Sequence, residues 1–194
     1  MAAETLFEDV SDKELVILAQ TSSSAFKPLV DRYWRRLYTF IKRLYFFQHE
    51  DIQDILQDAF IKAYRHLHSY DPSYAFSTWM YQITRNCAID ALRKKRTQPT
   101  QVSLEDEDME HLFLAADEQH AHVLQADTAQ LKQLIQDLPL KYREALTLRY
   151  LEERTYEEMV DILKKPKGTI ASLVNRARAL VQTDATKRGI QLYG

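Results

Sequence analysis

A basic, aromatic stretch between Phe76 and Arg96 contains the residue types that bind unpaired nucleic acid. From Arg85 to Arg96 the chain carries five basic residues against one acid, Asp90. Such cations bind the phosphate backbone, while aromatic rings such as Trp79 stack on unpaired bases at roughly 1–3 kcal/mol each. The pattern therefore indicates contact with single-stranded or melting DNA. Core aromatics followed by a solvated helix end would leave the same pattern, because cations also stabilise a helix C-terminus.

Three aspartates, Asp51, Asp54 and Asp58, are spaced so that they share one side of an amphipathic helix. Carboxylates so placed could chelate a hard cation. The commoner use of this spacing is a solvated face or a protein-binding face. Zinc ligands could come from three histidines in a segment without cysteine, which are His111, His120 and His122. A metal-dependent enzyme is therefore kept only as a remote alternative.

The C-terminal third has the pattern of a helix-turn-helix. Thr155 and Glu158 fit a capping box, and Pro166 fits the first position of the next helix after a turn at Lys164-Lys165. The second helix of such a pair enters the major groove of duplex DNA, and its N-terminal amides hold a phosphate. A plain helical hairpin with a basic face is the alternative interpretation. Six residues of the second helix are candidates for DNA contact: Lys167, Thr169, Ser172, Asn175, Arg176 and Arg178.

The elements that position these residues are predicted to be helices throughout. The first 167 residues contain no glycine, which β-hairpins and phosphate-binding loops usually need, and apolar residues recur every three or four positions. The prediction is an all-α protein without a Rossmann or P-loop nucleotide site. Ser11 and Glu14 fit a capping box for the first helix. Further helices are expected from Pro28, over Glu50–Tyr70, over Ser77–Arg96, from Thr128, and over Tyr142–Leu151, Tyr156–Leu163 and Gly168–Val181.

The distribution of charge divides the chain into two helical sets. Residues 97–131 contain eight acids and no Lys or Arg, so we predict domains at 1–97 and 128–194 joined by an acidic linker at 98–127. Cys87 is the one cysteine, which excludes an internal disulfide and a thiolate metal cluster. The N-terminus is polar and no apolar run is long enough to span a membrane. We therefore expect a cytoplasmic protein without membrane insertion.

Three segments together resemble the sigma-70 superfamily of RNA polymerase sigma factors, in its extracytoplasmic-function (ECF) branch. His49–Phe60 resembles the region 2 helix that grips the clamp coiled coil of the polymerase β′ subunit. Phe76–Asn86, with the basic run after it, is similar to the helix that opens the strands and reads the −10 element. Leu138–Leu151 and Thr155–Arg178 are similar to the domain that reads the −35 element. The resemblance implies a four-helix region 2 domain and a region 4 helix-turn-helix domain.

The resemblance implies that the chain binds core polymerase, directs it to promoters and helps melt the −10 region, with no cofactor and no catalysis of its own. Polymerase contacts are implied at Asp51, Asp54, Ile55, Gln57, Asp58 and Phe60. Contacts to −10 DNA are implied at Tyr74, Phe76, Trp79, Arg85, Asn86, Arg93, Lys94, Lys95 and Arg96. The loop Ser69–Ala75 would hold a flipped base, and the six C-terminal candidates would contact the −35 element. The implied partners are the β′ clamp and β flap of core polymerase, promoter DNA and an anti-sigma factor.

Three positions of the C-terminal domain depart from the family's usual pattern. Ala171 and Leu173 stand where the family usually has basic residues, and Lys164 stands where the turn commonly has glycine. Each lost phosphate contact weakens DNA binding and flattens its salt dependence. We therefore expect a weak, unusual or partner-assisted contact with the −35 element.

An ordinary helix-turn-helix regulator, binding duplex DNA as a dimer, is the alternative function. It accounts for the C-terminal helices but leaves the acidic helix and the aromatic-basic helix without a role. Affinity for core polymerase distinguishes the two functions, because only a sigma factor requires it.

Overall fold

Every regular element in residues 10–97 and 128–190, the part of the chain that the computed structural model describes, is a helix. The predicted all-α fold class is therefore confirmed. The chain divides into two compact units, Met1–Thr100 and Gln101–Gly194. The predicted acidic linker at 98–127 and its three histidines lie outside the described residues. No helix in the two described ranges combines the length and the apolar character that a membrane span requires.

The first two helices of unit 1 are α1 (Asp12–Thr21) and α2 (Lys27–Leu44). The predicted capping box of α1 is confirmed, because the Ser11 N–H donates to Glu14 Oε2 at 2.8 Å and the Glu14 N–H donates to Ser11 Oγ at 3.3 Å. Arg32 of α2 donates to Oδ1 of Asp12 at 2.8 Å. This half-buried ion pair joins the middle of α2 to the start of α1.

Helices α3 (His49–Arg65) and α4 (Phe76–Thr97) complete unit 1. The prediction that α3 continues to Tyr70 is wrong, because the backbone leaves the helix at His66 and forms a 3-10 turn over Leu67–Ser69. Tyr70 is buried, so the chain turns inward here to complete the core. The four helices pack around large buried side chains, which include Leu15, Leu29, Leu37, Phe40, Ile41, Leu56, Met80 and Tyr81.

Unit 2 contains α5 (Thr128–Gln136), α6 (Leu140–Leu146), α7 (Tyr156–Leu163) and α8 (Lys167–Lys187). The predicted helix at 142–151 is divided, because α6 passes into a π-helical turn over Thr147–Leu151. The predicted helix at 168–181 is longer than expected at both ends. Unit 2 has an apolar core of its own, built by residues from all four of these helices, among them Leu134, Ile135, Leu146, Met159, Ile162, Ile170, Val174 and Val181.

Candidate functional site

The exposed side of α3 carries part of the predicted polymerase-binding set. Asp54, Gln57 and Asp58 are exposed, on the side of the helix opposite its apolar stripe. Ile55 and Phe60 are only 4% and 5% exposed, so both pack in the core, and their contact with polymerase stays a prediction. The Phe60 ring stacks on Trp34 of α2, with centroids 5.9 Å apart. Ile55 and Phe60 therefore fix the orientation of α3, while Gln57 and Asp58 between them face outward.

Asp51 differs from the other two aspartates because its carboxylate is already engaged. Its Oδ2 accepts the Gln48 N–H at 3.0 Å, which completes a capping box at the start of α3. The same oxygen accepts from Nζ of Lys95 in α4 at 2.5 Å. The hydrogen bond from Lys95 is the largest cause of the lowered pKa of Asp51, with burial acting in the opposite direction. Asp51 therefore joins the start of α3 to the C-terminal end of α4.

The three aspartates do not form a cation site within the described residues. No group of three or more His, Cys, Asp or Glu side chains in that part of the chain is arranged to hold a metal ion. Asp51 points to Lys95, whereas Asp54 and Asp58 face solvent. On this side of α3, one carboxylate (Asp51) therefore forms an ion pair with Lys95, and the other two are exposed.

An aromatic cluster supports the N-terminal end of α4. The Phe76 ring lies 5.5 Å from Tyr33, 5.8 Å from Tyr70 and 5.8 Å from Trp79, measured between centroids. Phe76 is only 2% exposed and lies in the core, and its contact with DNA stays a prediction. Trp79 is half-buried, with its ring 5.2 Å from that of Tyr70 between centroids. Tyr74, in the loop before α4, is 48% exposed and is the more accessible ring.

The loop between Tyr70 and α4 is held by local hydrogen bonds, among them one from the Tyr74 N–H to the Asp71 carbonyl oxygen at 3.2 Å. The Tyr70 hydroxyl donates to the Tyr74 carbonyl oxygen at 2.5 Å. The Ser73 N–H donates to Oδ1 of Asp71 at 2.9 Å, and hydrogen bonds from Ser73 lower the pKa of that carboxyl. Asp71 is an Asx-turn residue of the kind that starts a tight loop. The predicted base-holding segment therefore has a defined shape before any ligand binds.

The outward side of α4 carries the polar part of the predicted −10 set. Asn86, Arg93 and Lys94 are exposed, and Arg85 is half-buried. Lys95 lies over the Phe47 ring, 5.3 Å from its centroid, in addition to its ion pair with Asp51. The side chain of Arg96, also in the predicted set, lies outside the described residues. These polar residues and the loop before α4 therefore belong to the same unit, and the residues lie on the helix that packs next to α3.

In unit 2 the predicted helix-turn-helix is present. The capping box of α7 is confirmed, because the Glu158 N–H donates to Oγ1 of Thr155 at 3.1 Å and the Thr155 N–H donates to Oε2 of Glu158 at 2.9 Å. Lys164 takes the left-handed conformation that ends α7, with φ of 52° and ψ of 46°. Pro166 is the N-cap of α8 and not its first residue, which is Lys167.

The six candidate residues of α8 do not all share one side. Thr169 and Ser172 are exposed, and Asn175 and Arg176 are half-buried on the side opposite the core residues Ile170 and Val174. Arg178 follows Arg176 by two positions and therefore lies on another side of the helix. Its charge lowers the pKa of the Tyr150 hydroxyl, although burial, the larger effect, raises that pKa.

Lys167, at the start of α8, is engaged with an acid of α7. Its Nζ lies 2.7 Å from Oε1 of Glu157, and both side chains are largely exposed. The hydrogen bond between them is the largest cause of the lowered pKa of Glu157 and of the raised pKa of Lys167. A phosphate at the N-terminus of α8 would therefore compete with Glu157 for this cation.

Sequence reasoning missed the cations of α2, although a signal was present. No Asp or Glu occurs from Arg32 to His49, and Arg35, Arg36 and Lys42 of α2 are all exposed. An acid-free, amphipathic helix with a basic exposed side is recognisable from periodicity and charge alone. The Asp51–Lys95 pair had no such signal, because its partners are far apart in the chain.

Two family models match the chain in the order of its two units. The model for Sigma-70 region 2 matches residues 29–98, which contain most of α2 and all of α3 and α4. The model for Sigma-70 region 4 matches residues 128–181, which contain the helix-turn-helix. Together they cover more than half of the chain, so the chain belongs to the sigma-70 family.

Individual relatives narrow the assignment. The ECF RNA polymerase sigma-E factor of Haemophilus influenzae is 32% identical, with 90% of this chain and 95% of the relative aligned. The RNA polymerase sigma-H factor of Pseudomonas aeruginosa is 34% identical, over 88% of this chain and 91% of the relative. A solved structure of the sigma factor RpoE in complex with the anti-sigma factor NepR, from Bartonella quintana, is 26% identical with a TM-score of 0.61, covering 81% of this chain and 94% of that one. Within the sigma-70 family, the chain is of the ECF type.

Proposed function

We propose that this ECF sigma factor docks on core RNA polymerase through the exposed acidic side of α3. Asp54, Gln57 and Asp58 supply two carboxylates and an amide on one rigid helix whose buried side is fixed by Phe60. Complementary charge of this kind guides encounter and register at a protein interface more than it adds affinity. The observation that carries the proposal is the pairing of two unlike surfaces, an acidic α3 and a basic α4, side by side in one region 2 unit.

The second part of the proposal is capture of the opened non-template strand by unit 1. The exposed Tyr74 and the half-buried Trp79 offer aromatic rings for stacking, and Asn86 and Arg93 lie on the outward side of α4. A loop shaped in advance by the Asp71 turn loses little further freedom when a base enters it. Binding energy from the captured bases would favour melting, so the function requires binding and no catalysis.

The third part assigns duplex contact upstream to α8. Thr169, Ser172 and Arg176 lie on its outward side, and Lys167 stands at its N-terminus. Ala171 and Leu173 add no cation to this helix. We infer a −35 contact that is weaker than usual in the family and that depends on polymerase to hold unit 2 at the promoter.

A helix-turn-helix regulator without polymerase docking is not favoured. The region 2 match at residues 29–98 covers α3 and α4, which such a regulator would leave without a role. Because transcription occurs where the chromosome lies, we place the protein in the cytoplasm. Its partners would be the β′ clamp and β flap of core polymerase. An anti-sigma factor is a further proposed partner, since the related RpoE is solved in complex with NepR.

A charge-reversal experiment tests the docking surface. We expect the double variant Asp54→Lys with Asp58→Lys to lower the affinity for core polymerase by about two orders of magnitude, because like charges would then face each other across the interface. Affinity would be measured by fluorescence anisotropy with labelled full-length chain and purified core polymerase. Both side chains are exposed, so the far-UV circular dichroism of the variant should match the parent chain.

The matched control places the same two reversals elsewhere. Asp31→Lys on α2 with Asp161→Lys on α7 changes the net charge equally but leaves the exposed acids of α3 intact. This control should bind polymerase almost as the parent chain does. Equal losses in the two double variants would show a general charge effect and would refute the α3 assignment.

A further inference from the structure

The exposed side of α2 carries two pairs of cations that none of the roles above uses. Arg35 and Lys42 are seven positions apart, and so are Arg36 and Arg43, so each pair lies along one side of the helix two turns apart. Arg35, Arg36 and Lys42 are exposed, and Arg43 is half-buried. With no acid between Arg32 and His49, both rows are uniformly positive. Such a surface attracts anionic partners.

Ring contacts show which neighbour each side of α2 faces. Phe40 packs on Tyr81 of α4 with centroids 4.8 Å apart. On a different side, the Tyr38 hydroxyl lies 2.8 Å from Nδ1 of His49 at the start of α3. The Trp34 stack on Phe60 of α3, described above, lies on that second side as well. One side of α2 therefore borders α4, and another borders α3.

The two rows of cations take different sides in this arrangement. Arg36 precedes Phe40 by four positions and Arg43 follows it by three, so both flank the ring that packs on α4. Lys42 follows Tyr38 by four positions and Arg35 precedes it by three, so that row flanks the contact with α3. The helix thus presents one basic row beside the predicted DNA-binding helix and an equally charged row beside the acidic one.

The row beside α4 extends the cations already assigned to DNA. Tyr81, the partner of Phe40, precedes Arg85 by one turn on α4, and Arg85 is a predicted backbone contact. The positive surface of α4 therefore continues onto Arg36 and Arg43 of α2. Exposed aromatic rings belong to the same unit, as Tyr74 does. Cations beside aromatic rings form the platform on which single-stranded nucleic acid binds, whereas an acidic peptide needs the cations alone.

We propose that Arg36 and Arg43 bind the phosphate backbone of the separated DNA strand, as a continuation onto α2 of the strand-binding surface of α4. This inference rests on the proposed function and adds two binding residues to it. The row formed by Arg35 and Lys42 takes no part in strand binding, although it has the same charge and lies on the same helix.

The two rows provide a matched pair of variants. Arg36→Gln with Arg43→Gln, and Arg35→Gln with Lys42→Gln, each remove two positive charges from α2. Affinity of the full-length chain for a fluorescein-labelled, single-stranded DNA oligonucleotide of mixed sequence would be measured by anisotropy at several salt concentrations. We expect the first variant to bind about tenfold more weakly at low salt, with a salt dependence of log K flatter by about 1.4, since each single-strand phosphate contact contributes about 0.7. The second variant should bind within about twofold of the parent chain.

Several outcomes would overturn the proposal. Equal losses in the two variants would assign the effect to net charge, and unchanged affinity in the first variant would leave α2 to a protein partner. The proposal would also be refuted if the parent chain did not bind the oligonucleotide at low salt. Because Arg43 is half-buried, the single variant Arg36→Gln provides a version with an exposed side chain, and it should give about half of the change in salt dependence.

Core polymerase binding separates this inference from the proposed function. Both double variants should bind core polymerase with unchanged affinity, because the acids of α3 are intact. A parent chain that fails to bind core polymerase would refute the proposed function whatever the oligonucleotide shows. Normal polymerase binding with no difference between the two rows would refute only the role of Arg36 and Arg43.

Discussion

At the scale of single residues, the turn of the helix-turn-helix contains a conformation that its residue type disfavours. Lys164 has φ of 52°, in the left-handed region where a Cβ atom crowds the following carbonyl oxygen. Glycine has no Cβ and takes this conformation freely. We expect Lys164→Gly to raise the free energy of unfolding of unit 2 by about 1 kcal/mol, measured by urea denaturation.

A neighbouring lysine provides the control for this prediction. Lys165 lies in the same turn and is exposed like Lys164, but its φ is not positive. Lys165→Gly removes the same charge and gains no relief from crowding, so it should leave stability unchanged or lower it. If both variants gained equally, the cause would be the lost charge and not the backbone of Lys164.

The ion pair between Asp51 and Lys95 is an example of a contact that sequence patterns do not predict. Periodicity places Asp51, Asp54 and Asp58 on one stripe, and it does so correctly. It does not reveal that one of them is bound at 2.5 Å to a lysine of another helix. That fact depends on how α3 and α4 pack, so three chemically identical residues have different environments.

At the scale of elements, helix starts were better predicted than helix ends. The capping boxes at Ser11 and Thr155 were identified from four-residue patterns, because the hydrogen bonds that form them are local. The end of α3 at Arg65 was missed, since burial of Tyr70 decides it. The π-helical turn after α6 was also missed, because no short pattern specifies it.

The burial of Ile55, Phe60 and Phe76 could have been predicted from the sequence alone. The first two lie on the apolar stripe of α3, and that periodicity already indicated the core. The family resemblance applies to whole segments and does not distinguish the buried positions within a segment from the exposed ones. Separating the apolar positions from the polar ones leaves Asp51, Asp54, Gln57 and Asp58 on α3, and the last three of these are the exposed ones.

The loop before α4 allows a prediction about strand opening. Tyr70→Phe removes the hydroxyl that donates to the Tyr74 carbonyl oxygen at 2.5 Å but keeps the ring in the core. We expect a less ordered loop and roughly a tenfold slower promoter opening, since misplacing a binding group has a cost of this order or larger. Opening would be followed with 2-aminopurine in a promoter selected by in vitro transcription with core polymerase.

Tyr33→Phe is the control for the loop variant. It removes another phenol hydroxyl from the same aromatic cluster, one that donates to Asp12 of α1. Its opening rate should stay close to that of the parent chain at a temperature where both variants are folded. Similar slowing in both variants would indicate a general loss of order in unit 1, contrary to the loop assignment.

At the scale of the whole molecule, low net charge and local basic surfaces coexist. The chain has a formal net charge of −2, yet α2 and the C-terminal half of α4 are strongly basic. The eight acids of residues 97–131 supply the balance. At physiological salt a protein of this kind has little general attraction for DNA, because nonspecific affinity depends on the number of phosphates that it neutralises and falls steeply as salt rises. Docking on polymerase would then decide where its basic surfaces meet DNA.

The two units are predicted to fold separately when the chain is divided at the proposed boundaries. Each has its own apolar core, in the four helices α1–α4 and in the four helices α5–α8. We expect fragments 1–97 and 128–194 each to show helical circular dichroism and a cooperative thermal transition. The smaller fragment should be the less stable, because a domain of about 60 residues buries only about 60% of its unfolded surface.

The divided chain also tests whether the work of the two units depends on their covalent connection. Fragment 1–97 should still bind core polymerase, since the acidic side of α3 lies wholly within it, but more weakly than the full chain by the contribution of unit 2. Fragment 128–194 added separately should not restore promoter-specific transcription, because covalent connection raises the effective concentration of unit 2 at the promoter far above that of a free fragment. The cations missing at Ala171 and Leu173 make this dependence stronger, as unit 2 has little DNA affinity of its own to contribute. Full activity from the mixed fragments at micromolar concentration would show that unit 2 finds its site unaided, which would contradict the weak, polymerase-dependent −35 contact proposed above.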